Sequence, residues 1–411
     1  MAGTGISSIT KNALQNYVLD SNEALEFKLV KCPEDLEDES TTFRPEMSHQ
    51  VYGDSEQIFG YSGLRIKVYY SACRLTTYLS YTYGERVNPE KFEGVKPDEV
   101  IKPIAERIPP GYLTNLEDFV ASLEKDASFR PYGEMTHRFT AATESGEQKT
   151  LEVYFCDGTT PNFLDYHQRF QTFILWYIDA ASYIDTDDDK WRFFVTYEKF
   201  QADGQTRYAF VGFASVYQYY AYPDNIRPRI SQMLVLPPFQ RLGVGTEMLK
   251  TIYMRYQDDP KVLDITVEDP SDNFARLRDY VDSKNCMKLD SFHSEKLNQG
   301  YSEAMVDEAK TKLKLNKRQI RRVYEILRLR ATNLSDNEAY RKYRLDVKSR
   351  LNIQYKKEDR YMEKLKKMLR PEEYAATVST TSQDQRVESL DRQYSQLEDH
   401  YLHILDRIFA Q

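Results

Sequence analysis

The chain has 411 residues, of which 41% are hydrophobic and 29% charged, with a net charge of −8. It is too long for one compact domain, and its 32 Tyr, 20 Phe and 2 Trp exclude a disordered chain. Its 16 Gly and 16 Pro exclude a collagen-like or low-complexity sequence, and no apolar run predicts a membrane span. The first residues lack the basic stretch and apolar core of a secretory leader, and Ala2 excludes the myristoylation signal. Cys32, Cys73, Cys156 and Cys286 form no CxxC unit and are expected as free thiols of a reducing compartment. The six histidines are scattered, so neither a structural zinc nor a Cys/His nucleophile is expected. From Lys312 to Arg370 there are 20 Lys+Arg against 7 Asp+Glu, a net of +13, which leaves −21 for the rest. An acidic body of this kind attracts a basic partner such as a Lys-rich peptide, although each acidic run also reads as a solvated loop.

In chain order, residues to about 135 mix helix and strand. Leu64–Leu79 predicts a strand, Ile108–Gly111 a turn, and Phe119–Lys125 a helix. Phe163–Ile184, dense in apolar residues without Gly or Pro, predicts one buried helix that would bury Asp179 among Leu175, Trp176 and Tyr183. Trp191–Phe200 and Tyr208–Tyr222 flank Asp203-Gly204 as a hairpin, and Arg229–Phe239 is a further strand. A helix after Gly245 presents Met248, Leu249, Ile252, Tyr253 and Tyr256 on one face. Leu263–Val267 predicts a short strand. Ser271 or Asp272 caps the next helix, with Phe274, Leu277 and Val281 inward. Arg386–Phe409 carries Val387, Leu390, Tyr394, Leu397, Tyr401, Ile404 and Ile408 as a heptad seam. A polar linker, Ala375–Gln385, precedes it, and the seam is expected to pack on a helix from Asn337–Leu369 or on a partner. Lys312–Arg322 reads as a nuclear import signal or as half-buried helix charge.

The chemistry centres on strand, Gln240-x-x-Gly243-x-Gly245, helix. Glycines let backbone approach an anion, and a helix start offers unpaired N–H groups. Alone, the string suits pyrophosphate binding or mere close packing. A Rossmann reading fits badly, since Met248 stands at the third glycine position, and the absence of GK[ST] excludes a P-loop.

The unit of strand, loop, helix and strand ending in Glu268-Asp269 resembles the acetyl-CoA site of the GCN5-related acetyltransferases. FILWYIDAASYIDTDDDKW, RPRISQMLVLPPFQRLGVG, LDITVEDPSDNFARLRDYVD, RRVYEILRL and IFGYSGLRIKVYY together resemble type B histone acetyltransferase catalytic subunits. The likeness is placed over about residues 45 to 330, with a tail similar to some fungal members. It implies an α+β fold, a GNAT-type mixed sheet with flanking helices. The implied domains are an N-terminal α/β domain (1–135) shaping a peptide groove, an acetyl-CoA-binding catalytic domain (136–285) and a helical C-terminal domain (286–411).

The resemblance further implies that Met233, Leu234 and Val235 hold the pantetheine arm. It implies that Gln240, Arg241, Leu242, Gly243, Val244, Gly245 and Thr246 hold the pyrophosphate, with Ser271 a further coenzyme contact. Glu268 matches the general base, and Asp269 and Asp179 match assisting carboxylates. At the Asp179 position the family has Glu, one methylene longer. Asp54, Ser55, Glu56 and Gln57, with Tyr217, Gln218 and Tyr219, match segments that grip the histone H4 tail. The implied co-substrate is acetyl-CoA without a metal. The implied substrate is a lysine in the tail of newly made, non-nucleosomal H4, with H3 alongside. A WD40 histone-binding subunit is implied near Ala221–Arg227 and the C-terminal helices. Cytoplasmic and nuclear residence, chromatin regulation and DNA damage repair are implied, without direct nucleic-acid or membrane binding.

Chemically, a strand N–H near Leu234 suits the developing oxyanion, and no covalent enzyme intermediate is needed. Glu268-Asp269 before Pro270 also reads as a polar turn, and Tyr217, Tyr219, Tyr220 and Tyr222 as sheet packing or as an aromatic wall for a lysine stem. The alternatives are the same fold acting on another amine, such as a polyamine or a protein N-terminus, and a non-catalytic histone-binding scaffold.

Overall fold

The computed structural model describes residues 14–370 and 383–410. The backbone divides into two units. One holds the chain to Tyr220 with Pro228–Ile252; the other holds Ala221–Arg227 with the chain from Tyr253 onward.

In the first unit, β1 (Leu25–Val30) runs parallel to β2 (Arg65–Ser71), which pairs antiparallel with β3 (Thr77–Thr82). The single strand expected over 64–79 is therefore two, separated by a turn in which Leu75 takes φ 57°. Between β1 and β2 lies the one-turn helix α1 (His49–Tyr52). Helix α2 (Leu116–Leu123) starts where the Asn115 side chain accepts from the Glu117 and Asp118 amides. It closes a core with Val30, Tyr69 and Tyr78.

A larger sheet follows: β4 (Glu134–Ala142), β5 (Gln148–Asp157), β6 (Trp191–Ala202), β7 (Gln205–Ala221) and β8 (Asn225–Val235). Within this unit its order is β8-β7-β6-β5-β4. The β6–β7 hairpin turns where expected, with Asp203 and Gly204 both at positive φ, 52° and 70°, as a two-residue hairpin turn demands. Its register slips after Thr196↔Gly212 to Tyr197↔Phe210, so Val211 is an extra, bulged residue.

The expected helix over 163–184 breaks early. Helix α3 (Phe163–Phe170) buries Phe163, Tyr166, His167 and Phe170, the 3.6-residue face the sequence promised. A 3-10 turn and α4 (Ile174–Tyr177) follow, and Ile178 is already extended. Asp179 thus lies beyond the helix with its side chain 77% exposed, not buried. Helix α5 (Val244–Gln257) buries the expected Met248, Leu249, Ile252, Tyr253 and Tyr256.

The second unit holds β9 (Thr266–Val267) and helices α6 (Asp272–Cys286), α7 (Glu303–Leu313), α8 (Lys317–Ala331), α9 (Asn337–Met368) and α10 (Gln383–Phe409). Its apolar core gathers Cys286, Phe292, Leu297, Met305, Ile320, Val323 and Leu327. Helix α6 departs from expectation: Phe274 and Leu277 are half-buried, while Arg278, Asp279 and Asp282 are buried with Val281.

Asp279 is paired across helices, whereas Arg278 and Asp282 face each other within α6 at 3.4 Å. Asp279 takes Arg322 Nε at 2.5 Å, His400 Nε2 at 3.0 Å and Gln319 Nε2 at 3.1 Å. Fully buried Glu325 on α8 accepts from Arg321, from Nε and Nη2 of Arg350, and from the Tyr401 hydroxyl at 3.0 Å. The α10 seam packs within the chain: Tyr394, Tyr401, Ile404 and Ile408 are buried, and Tyr340 on α9 donates to Glu398 at 2.7 Å. Val387 at the seam's start is 53% exposed. The expected linker at 375–385 lies outside the described residues up to 382. In Lys312–Arg322, Lys312 pairs with Glu308, Lys317 with Glu303, Arg321 with Glu325 and Asp346, and Arg322 with Asp279. The four cysteines are free, and no described helix is long and apolar enough to cross a membrane.

Candidate active site

Strand β8 delivers the first element of the site. Gln232 and Leu234 point inward, while Met233 and Val235 are half-exposed. Its neighbour β7 comes so close at Gly212 that an added Cβ would lie 2.3 Å from the Leu234 carbonyl oxygen. Glycine is required there by contact with backbone, and it sits beside the bulge at Val211. After β8 a 3-10 turn, Pro237–Phe239, reverses the chain, and the Gln240 side chain donates to Val235 O at 3.0 Å.

The loop then takes two left-handed positions, Arg241 at φ 62° and Gly243 at φ 80°. Helix α5 begins at Val244, and the Glu247 amide bonds back to Gly243 O at 3.1 Å. By helix geometry the amides ahead of Glu247 have no acceptor inside the helix. Leu242 and Gly245 are half-buried, Val244 and Thr246 buried, and Arg241 exposed. A Cβ on Gly243 would meet nothing within 4 Å, so open space lies over the loop. Free amides, a helix N-terminus, open space and an exposed Arg fit a pyrophosphate.

Asp179 and Ala180, the latter at φ 53°, form a turn closed by the Ala181 amide on Ile178 O at 3.3 Å, at the start of an irregular strap. Side-chain amides from two other elements hold the strap. Gln50 donates to Ala181 O at 2.8 Å, and Gln232 donates to Ser182 O at 3.0 Å. The second bond ties the strap to the strand that carries Met233 to Val235. His49 Nε2 lies 3.1 Å from Asp179 Oδ1, and its Nδ1 lies 3.6 Å from Glu56 Oε1.

Among the residues expected to grip a peptide, Asp54, Ser55 and Gln57 are exposed. Glu56, at φ 50°, is engaged internally: it accepts from the Ser48 amide at 2.6 Å, the His49 amide at 3.0 Å and Asn22 Nδ2 at 2.9 Å. The Ser48 amide, chief among these donors, holds its carboxyl below the usual range. At the end of β7, Tyr217 donates to Asp188 Oδ2 at 2.7 Å and packs edge-on against Trp191 and Tyr219. The Arg229 guanidinium lies 4.6 Å from the Tyr219 ring centre. The Gln218 amide bonds to Lys190 O. Tyr217 and Tyr219 share one strand face, whereas Tyr220 stands on the other. Tyr222 lies beyond the strand's end, so two of the four tyrosines share that face.

Glu268, Asp269 and Ser271 belong to the second unit. Glu268 and Asp269 are exposed at the end of β9, Asp269 at φ 27°. Ser271 is the N-cap of α6, its hydroxyl accepting from the Phe274 amide at 3.2 Å. The approach to Glu268 is fixed from below. Arg278 donates to Ile265 O at 3.0 Å, Arg227 pairs with Asp264 at 2.5 Å, and the Ile265 amide bonds to Lys314 O.

Sequence reasoning missed His49, Gln50, Gln232 and Asp188. Each acts on a partner distant in sequence, and no local pattern marks it. Among the described residues no group of three or more His, Cys, Asp or Glu is arranged to hold a metal.

Three family models match this architecture. Residues 156–280 match the Acetyltransferase (GNAT) family. Residues 17–179 match Histone acetyl transferase HAT1 N-terminus, and 278–329 match Histone acetyltransferase type B catalytic subunit, C-terminal. The β8–loop–α5 unit is thus that of a GNAT acetyltransferase, an acyltransferase class that uses acetyl-CoA. The chain is 45% identical over 402 residues to the histone acetyltransferase type B catalytic subunit of Homo sapiens, covering 98% of this chain and 96% of that one. It is 34% identical over 394 residues to a Dictyostelium discoideum protein of that description (89% and 83% covered). It is 33% identical over 344 residues to a Mycosarcoma maydis one (76% and 76%). The chain belongs to the family of type B histone acetyltransferase catalytic subunits. The match to the human relative takes in the tail beyond residue 330, so that likeness extends past the fungal members.

Proposed function

We propose that this protein transfers acetyl from acetyl-CoA to lysines in the N-terminal tail of newly synthesised, non-nucleosomal histone H4. The observation that carries the reading is one juxtaposition in the first unit. The strand that leads into the helix-start loop is bonded, through Gln232, to the strap bearing an exposed carboxylate, Asp179.

The chain's task is to free an amine and orient it. A lysine of pKa ~10.4 is only about one part in a thousand neutral at pH 7.5, so freeing the amine costs about 4 kcal/mol. Glu268, exposed at the end of β9, takes the ammonium proton and passes it to solvent. Asp269 and Asp179 assist Glu268 in accepting that proton. The amides ahead of Glu247 hold the pyrophosphate, and the backbone of Met233 to Val235 holds the pantetheine arm. The coenzyme supplies the acetyl thioester: lysine nitrogen bonds to the acetyl carbon, the carbon–sulfur bond breaks, and the nitrogen's second proton leaves with the thiol.

Specificity for a basic tail rests on Asp54, Ser55, Glu56 and Gln57 and on Tyr217, Gln218 and Tyr219. In this reading Asp54 meets the tail's positive charge, Glu56 shapes the loop through its backbone donors, and the paired tyrosines flank the lysine stem. The relatives are named as catalytic subunits, which supports a partner. We place a WD40 histone-binding subunit on the Ala221–Arg227 tip, where Tyr222 is 85% exposed, and on the C-terminal helices, and the protein in cytoplasm and nucleus. The test is to mix the protein with acetyl-CoA and free histone H4 and to locate acetyl groups by mass spectrometry. Acetyl-lysine in the H4 tail is expected. Turnover on polyamines or protein N-termini instead, or binding without turnover, overturns the reading.

A further inference from the structure

Asp179 is a short carboxylate on an exposed strap, and left to itself it would sample several rotamers. The strap's course is set on one side by a single segment. The Glu46 and Met47 amides bond to Trp176 O at 3.0 and 3.2 Å, and the Tyr177 hydroxyl bonds to Arg44 O at 2.9 Å. Gln50 holds Ala181 O. Residues 44–50 therefore track residues 176–181 side by side, and His49 faces Asp179 as part of that match.

The imidazole is itself held. The His49 amide and the Ser48 amide both bond to Glu56 Oε1, and the ring's Nδ1 faces that same oxygen at 3.6 Å. Glu56 in turn is fixed by Asn22 Nδ2, and its own carbonyl accepts from the Ser21 amide and hydroxyl. A chain of contacts thus runs from the rigid β1 side of the unit through Glu56 and the ring to Asp179 Oδ1.

We propose that His49 is a positioning residue for Asp179. The Nε2–Oδ1 contact at 3.1 Å fixes the carboxylate's rotamer and leaves Oδ2 as the oxygen offered to the substrate amine. Asp is a short acid, so the direction of its carboxylate counts for more. This inference rests on the reading of Asp179 as an assisting carboxylate.

The test is a double-mutant cycle on the full chain with free H4 tail peptide, using His49→Phe, His49→Gln, Asp179→Asn and the His49→Phe/Asp179→Asn pair. His49→Phe is expected to lower kcat about tenfold, with KM for acetyl-CoA and for peptide within about twofold. His49→Gln, which keeps an N–H at similar reach, is expected to recover most of the loss. In the Asp179→Asn background, His49→Phe is expected to change kcat less than about twofold, because the group it directs is gone. Thermal melts establish that each variant is folded. A full, multiplicative loss in the double variant overturns the proposal, as does failure of His49→Gln to restore turnover, while the reading of Asp179 stands. If Asp179→Asn alone leaves kcat unchanged, that reading of Asp179 falls, and the role of His49 with it.

Discussion

Glu268→Gln keeps the size and hydrogen bonding of the side chain but cannot hold a proton. A kcat lower by about a hundredfold to ten-thousandfold is expected, with near-normal acetyl-CoA affinity and partial recovery as pH rises. The check is a kcat/KM pH profile; an unchanged profile would remove Glu268 from the mechanism. Gly243 sits at φ 80°, where a side chain is strained, and it faces the open space over the helix start. Gly243→Asp adds both strain and a negative charge, so calorimetric affinity for coenzyme A should fall at least tenfold. His167 gives a stability signal. Burial among Phe163, Phe170 and Phe193 pushes its pKa from 6.5 down to about 4. Between those values the unfolded chain binds a proton that the folded chain does not. The neutral ring's contribution is therefore complete above about pH 6.5 and is lost as pH falls through 4, on the order of 3 kcal/mol. Wild-type Tm should fall more steeply over that window than Tm of His167→Phe.

At the level of elements, what could be read from the sequence was what is locally encoded. The β6–β7 hairpin announces itself because Asp203-Gly204 is a turn dipeptide, and α5 because five apolar residues recur on one face. Helix α4 was overrun because nothing local stops it at Tyr177; the strap beyond is drawn out by Gln50 and Gln232 from elsewhere in the fold. The split of 64–79 was hidden because Leu75, no turn former by type, takes φ 57°. The buried side of α6 was misread because apolar periodicity does not see Arg278, Asp279 and Asp282; Asp279 is met by Gln319, Arg322 and His400 from α8 and α10, and Arg278 by the Ile265 carbonyl. The loop from Gln240 to Gly245 was legible as a turn into a helix, whereas the company of Asp179 was not. Helix α10 yields a further expectation. Deleting Arg386–Gln411 removes buried Tyr394, Tyr401, Ile404, Leu405 and Ile408 and strips Glu325 of its hydroxyl donor. Each large side chain is worth about 1.5–3 kcal/mol of burial, so Tm should fall by many degrees. The molecules still folded should keep kcat/KM on a free peptide within a few-fold. A fall in turnover that outruns the folded fraction would mean that α10 builds the site.

For the whole molecule, the charge is divided: +13 over Lys312–Arg370 and −21 elsewhere. An acidic surface recruiting a basic tail should weaken as the Debye length contracts from ~10 Å at 0.1 M salt toward ~3 Å at 1 M. KM for an H4 tail peptide is expected to rise several-fold between about 0.05 and 0.3 M salt, and less steeply for Asp54→Asn; a flat response would mean that charge does not recruit the tail. The two units are also woven by the chain itself, which leaves the first unit after Tyr220, returns at Pro228 and leaves again after Ile252. During synthesis, Ala221–Arg227 emerge on a ribosome that has not yet made the rest of their unit. No single scission in the gene parts the molecule into two self-sufficient halves: a fragment ending at Ile252 carries seven residues that belong with the missing piece. Evolution cannot shuffle this acetyltransferase domain as a cassette without rewriting the hairpin tip that groups with the second unit.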